Sequence, residues 1–196
     1  MQLTPSFVYA AHAVFWISFV ATRLAVRSTN ESPPEATVAT TTNTMRGARS
    51  LVAAHGFAFA ILYAGIFNGV WHRLRPLFES RPMLGISLIL AGTAFAVWSL
   101  FHFRSWRFQA KLEIGHQLAT TGPFAIVRHP IYASLTLLGV GSALWIPNSL
   151  TVIGCVLVAL VGDLRGRAEE RLLAHVFKKA YVDYKSKVAR LIPKIY

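Results

Sequence analysis

Four stretches of this sequence carry no Asp, Glu, Lys or Arg: 1–22, 50–72, 82–103 and 129–162. No other feature restricts the fold so tightly. At 1.5 Å per residue, a helix of about 22 residues is roughly 33 Å long, enough for the roughly 30 Å hydrocarbon layer of a bilayer. Backbone inside that layer must satisfy its own polar groups, so helices are the expected form. The composition agrees, with 54% of the 196 residues hydrophobic and 14% charged. The sequence predicts an all-α polytopic membrane bundle of about five transmembrane helices.

Three helices are expected in 1–103: Pro5–Leu24, Ser50–His72 and Met83–Phe103. The first lacks the basic start and small-residue cleavage site of a signal peptide and is read as retained. Between the first two, 27–49 is rich in Thr, Ser, Asn and Pro. Such a linker buries too little apolar surface to fold alone and is expected to be mobile. The run 129–162 is too long for one span and is interrupted at Pro147-Asn148. Proline cannot donate to the preceding turn, so a hairpin over 131–162 with legs Ile131–Ile146 and Ser149–Val161 is expected. A tail helix over 163–190 follows. Leu164, Ala168, Leu172, Val176, Ala180, Tyr184 and Val188 recur every four residues there, which predicts an amphipathic helix on the membrane or against the 104–130 loop.

The formal charge of +12 raises a nucleic-acid reading. Its distribution decides against one, since no recognition helix, aromatic-basic motif or zinc finger accompanies it. With five crossings, the linker, the 104–130 loop and the tail share a side and hold 17 of the 20 Lys and Arg. Arg73, Arg75 and Arg81 are the remaining three. This asymmetry predicts a cytoplasmic C-terminal end. Cys155 is the single cysteine, so neither an internal disulfide nor a thiolate metal cluster is available.

The polar, Gly-containing segment Leu112–Tyr132 is long for a plain connection between spans. Leu118, Phe124, Ile126 and Val127 need burial, so it reads as a folded loop that packs on something. Arg128-His129-Pro130 stands at the start of helix four. Proline at a first helical position and a snorkelling arginine account for it structurally, and a binding role remains open beside that. Glu169-Glu170 can be a solvated helix face. Arg165 and Glu169, one turn apart, point to the same side.

These residues also carry a family pattern. His116, Leu118, Gly122, Phe124, Arg128, His129, Pro130 and Tyr132 precede Arg165, Glu169, Glu170, Leu173, Phe177, Tyr181 and Tyr184. In order and spacing, residues 109–196 resemble the isoprenylcysteine carboxyl methyltransferase family, in its small prokaryotic form. The resemblance implies a membrane methyltransferase dependent on S-adenosylmethionine, with membrane lipids around it and a lipophilic acceptor arriving from the bilayer. It makes 104–196 the methyltransferase-like part, with a cofactor loop over 109–132. Gln109, His116, Gln117, Leu118, Ala119, Phe124, His129, Pro130, Ile131, Tyr132 and Glu169 would contact the cofactor. Arg165 would bind the acceptor, and Arg165 and Glu169 would be catalytic.

Three departures stand out: Phe124 for a usual Tyr, Ala119 for a usual Val, and Phe177-Lys178 for a usual Phe-Gly. A membrane reductase using NADPH shares an R-H-P-x-Y segment. Its pattern has an acidic residue soon after the Tyr, whereas Ala133, Ser134 and Leu135 follow here. A lipid or thiol methyltransferase is the other alternative. Haem or metal binding through His12, His55, His72 and His102 matches no ligand spacing, and histidines bonded within or at the rim of the bundle are expected instead.

Overall fold

A computed structural model describes residues 4–28, 43–44, 48–71, 73–102, 111–112 and 118–195. It consists of five helices: α1 (Phe7–Ser28), α2 (Ala48–Val70), α3 (Pro82–His102), α4 (Pro130–Trp145) and α5 (Ser149–Lys185). A short antiparallel pair, β1 (Asn43–Thr44) with β2 (Lys111–Leu112), joins the first long connection to the third. α3 packs on α4 and α1, and α5 packs on α2 and α4. Phe15, Leu62, Ile66, Ile89, Leu138 and Val158 fill the shared core.

α1, α2, α3 and α5 are long and apolar enough to cross a membrane. Many of their large side chains, such as Ile17, Phe57, Met83 and Leu160, are exposed, as lipid-facing residues are. The chain is an integral membrane protein. α4 has only 16 residues, about 24 Å at 1.5 Å per residue, short of the roughly 30 Å core. It lies almost wholly among its neighbours, with 12 residues buried. Close approach there needs glycine: a Cβ on Gly141 would lie 2.6 Å from the Gly85 carbonyl oxygen, and one on Gly85 2.6 Å from that of Gly141.

The expected break at Pro147 is present. Asn148 caps α5, its Oδ1 accepting from the Thr151 backbone N–H at 3.0 Å, while its amide donates to the Gly65 carbonyl at 2.8 Å. The α2–α3 connection closes on this corner through Leu77 N–H to Pro147 O at 2.6 Å and Arg81 N–H to Leu144 O at 2.7 Å.

Two expectations need correction. The second hairpin leg runs on without a break into the first part of the tail, and α5 is interrupted only at a kink at Lys178. The part before the kink, 149–177, reaches about 43 Å at 1.5 Å per residue, so one end projects beyond the roughly 30 Å bilayer core. The four-residue stripe is buried in part, at Ala168 and Tyr184. Its Leu164 and Val176 are exposed, and Val161, Arg165, Gly166, Glu170 and Tyr181, beside the stripe, are buried. Four residues advance a helix by about 40° beyond a full turn, so over three steps the stripe walks about 120° around it. Most of the 27–49 linker lies outside the described residues.

His12 is held inside the bundle. Ser142 Oγ donates to the Leu138 carbonyl at 2.6 Å and so accepts from His12 Nε2–H at 2.8 Å. His12 Nδ1 then accepts from the Tyr63 hydroxyl at 2.9 Å, whose oxygen accepts from Trp16 at 2.5 Å. This chain of donors joins α1, α2 and α4 and uses both imidazole nitrogens.

Candidate functional site

The site forms where the loop before α4, the projecting end of α5 and the segment after it meet. The loop turns at Gly122, whose φ of +59° favours glycine. A Cβ there would also stand 2.8 Å from the ring of His102, the residue that ends α3 and bonds Thr121 Oγ1 at 2.9 Å. The turn buries Phe124, and the Phe124 carbonyl accepts the Tyr184 hydroxyl at 2.6 Å. Val127 then pairs in parallel with Ala189. Arg128 N–H donates to Ala189 O at 2.8 Å and His129 N–H to Arg190 O at 3.1 Å. Residues 188–190 thus act as a short strand clasping the R-H-P segment.

Glu170 lies at the centre of the clasp rather than on a solvated face. Its Oε1 accepts from Arg128 Nε and Nη2 at 3.0 and 2.8 Å and from Arg190 Nε at 2.9 Å. Its Oε2 meets Lys185 Nζ at 3.3 Å. Arg128 also donates to the Lys185 carbonyl at 3.2 Å and to the Val188 carbonyl. Arg190 reaches on to Asp163 at 2.9 Å. A carboxylate so enclosed is tolerable only because several cations and hydrogen bonds replace its water.

Beside it, Glu169 keeps 22% of its side chain exposed. The Tyr132 hydroxyl donates to Glu169, and the Arg165 guanidinium lies 4.9 Å from the centre of the same Tyr132 ring. Arg165, 7% exposed, donates to His55 Nδ1 at 3.1 Å. His129 stacks on Tyr132 at 5.8 Å and stands 3.4 Å from a carboxylate oxygen of both Glu169 and Glu170. Burial alone would lower the His129 pKa, but the two carboxylates outweigh it and raise the value above the ordinary 6.5.

The structure thus brings Phe124, His129, Tyr132, Arg165 and Glu169 to one region. Leu118 and Ala119 are half-buried at the start of the described loop, Pro130 is buried, and Ile131 belongs to the apolar core. Gln109, His116 and Gln117 lie outside the described residues, as does His72. Glu170 and Arg190 organise the clasp, and His55, on α2, joins the site through Arg165. The family pattern includes Glu170 but neither Arg190 nor His55. The one sequence signal for His55 is a polar ring inside a charge-free run. Among the described residues, no cluster of three or more His, Cys, Asp or Glu could hold a metal ion.

The phospholipid methyltransferase family matches residues 80–180, just over half of the chain. The chain belongs to the phospholipid methyltransferase family. The match contains the whole loop, α4 and most of α5, but neither residues 188–190 nor His55. The protein-S-isoprenylcysteine O-methyltransferase of Saccharomyces cerevisiae is 30% identical over 161 residues, covering 77% of this chain and 66% of that protein. This similarity bears out the resemblance to the isoprenylcysteine carboxyl methyltransferases. The cobalt-zinc-cadmium resistance protein CzcN of Cupriavidus metallidurans is 27% identical over 131 residues, 66% of this chain and 54% of that protein. This phospholipid methyltransferase family member therefore spans just under two thirds of the yeast protein's length and about half of the bacterial one's.

Proposed function

We propose that the chain is an S-adenosylmethionine-dependent methyltransferase whose acceptor is a carboxylate on a lipophilic molecule, such as a prenylcysteine. The observation that carries this reading is the convergence of Arg165 and Glu169 on Tyr132, one residue buried in the bundle and the other at its polar rim.

The residues present fit the cofactor. Phe124, Pro130 and Tyr132 offer flat apolar walls for a purine, and Glu169 offers an anion for an ammonium or ribose hydroxyls. The Tyr181 hydroxyl is buried with no hydrogen-bond partner among the described residues, as a group awaiting a polar ligand is. Gln109, His116 and Gln117 complete the proposed cofactor set. When bound, the cofactor supplies an electrophilic methyl group on a sulfonium.

Arg165 binds and orients the acceptor carboxylate, which needs no base because it is already an anion. One carboxylate oxygen gains the carbon–oxygen bond as the carbon–sulfur bond breaks, and that bonding pair stays on sulfur. A carboxylate and a sulfonium become a neutral ester and a neutral thioether. The protein's main contribution is then alignment in a site shielded from water. The phospholipid methyltransferase match favours a lipid headgroup as the second acceptor class. A buried guanidinium suits an anionic acceptor better than an amine. The seventeen-to-three distribution of basic residues supports a cytoplasmic location for this end of the bundle.

Titration calorimetry on the purified protein in detergent tests the reading. S-adenosylmethionine should bind, and Glu169→Gln should weaken it by about tenfold or more, the scale of a lost charge-assisted hydrogen bond. Arg165→Ala should keep the cofactor and stop transfer to prenylcysteine. Binding of NADPH in place of S-adenosylmethionine would establish the reductase instead.

A further inference from the structure

His55 is 3% exposed, in the second turn of α2. Its Nδ1 lies 3.1 Å from Arg165 Nη1. A guanidinium only donates, so Nδ1 accepts, and the single proton of the neutral ring sits on Nε2. That N–H is buried and has no partner among the described residues. The ring itself is fixed, stacked on Phe59 at 5.4 Å and tilted against Tyr132 at 6.2 Å. His12, also inside the bundle, uses both of its ring nitrogens. A buried donor without an acceptor is rare in folded proteins, and a hydrocarbon surround offers no water to serve it. An acceptor brought by a ligand would supply the missing partner.

We propose that His55 is an acceptor-binding residue, donating from Nε2–H to the acceptor's carboxylate beside Arg165. This rests on the reading of the acceptor as a lipophilic carboxylate. The two donors differ in kind. Arg165 supplies charge, and His55 supplies a neutral, immobile hydrogen bond on the α2 side. A carboxylate has lone pairs on two oxygens and can take both. The methyl ester has lost the charge that Arg165 answers and one of the two equivalent oxygens, so the pair favours acid over ester. The same residues then admit the acceptor and let the product leave.

The test compares wild type, His55→Asn and His55→Gln in detergent, with N-acetyl-S-farnesylcysteine, its methyl ester and S-adenosylmethionine as titrants. Asn keeps an oxygen toward Arg165 and loses the donor at the Nε2 position. Gln places an amide N–H near that position. The expected result is that His55→Asn weakens binding of the acid at least tenfold and of the ester less than threefold. The cofactor Kd should stay within twofold, and His55→Gln should hold the acid within threefold of wild type. Equal loss in both variants would make His55 a positioning residue for Arg165 and overturn the proposal. So would unchanged acid binding in His55→Asn, or cofactor loss in step with acid loss. If wild type binds the acid and transfers methyl, any of these results sinks the His55 assignment alone. If wild type binds neither acid nor cofactor, the methyltransferase reading and this inference fall together.

Discussion

Arg128 forks onto a single oxygen of Glu170, its Nε at 3.0 Å and Nη2 at 2.8 Å, with 8% and 4% of the two side chains exposed. Arg190 and Lys185 share the same carboxylate. Removing the anion strands several cations together, whereas removing Arg128 leaves Glu170 two other cations. Glu170→Gln is therefore expected to cost about 3–5 kcal/mol, the scale for breaking a buried ion pair from one side. Arg128→Ala should cost less. Unfolding midpoints in a fixed detergent rank the two.

Lys178 stands at φ +45° and ψ −120° inside α5, where the helix kinks. Glycine suits such a backbone, and a Cβ makes this conformation costly, by about 1–3 kcal/mol. Lys178→Gly should raise stability by about 1 kcal/mol, less than the full strain because glycine adds freedom to the unfolded chain. Lys178→Ala should leave stability nearly unchanged, since it retains the Cβ. A lower midpoint for the glycine variant would count against strain at the kink.

The raised pKa of His129 predicts the sign of a pH effect. Burial opposes the charged ring, but Glu169 and Glu170 hold its proton more tightly in the folded than in the unfolded protein. The stabilisation is then fully present below the unfolded value of about 6.5 and is lost as pH rises through the higher folded value. The unfolding midpoint should fall across that window, and His129→Gln should flatten the step. A wild-type midpoint that rises there would mean that burial dominates.

Tyr184 ties α5 to the loop through the Phe124 carbonyl at 2.6 Å. Tyr184→Phe keeps the ring and removes that hydrogen bond, at a cost of about 0.5–1.5 kcal/mol. Because the bond spans two elements, the loss should be local as well as global. Amide hydrogen exchange over 121–128 should quicken more than exchange within α3.

The hydrocarbon layer made much of the bundle legible. A run without charge of the right length has few folded forms there, so α1, α2 and α3 lie close to their expected ranges. The corner at Pro147 was legible because proline removes a donor. The passage from hairpin to tail was not. Asp163 was read as the start of a separate tail helix, but it is paired with Arg167 and Arg190 and α5 runs straight through it. Charge marks a boundary only when it stays solvated. Glu170 was ambiguous for the same reason, since its cations come from 128, 185 and 190. His55 meets Arg165 across 110 residues of sequence, and no local pattern encodes a contact of that separation.

The clasp also orders events in time. The Phe124 carbonyl waits for Tyr184, and the Arg128 guanidinium for the Val188 carbonyl, each 60 residues downstream. While the chain is being synthesised, α4 is inserted with its Arg128 end still without those partners, and α5 must thread back before they exist. The bundle can therefore stand in the bilayer before the clasp closes.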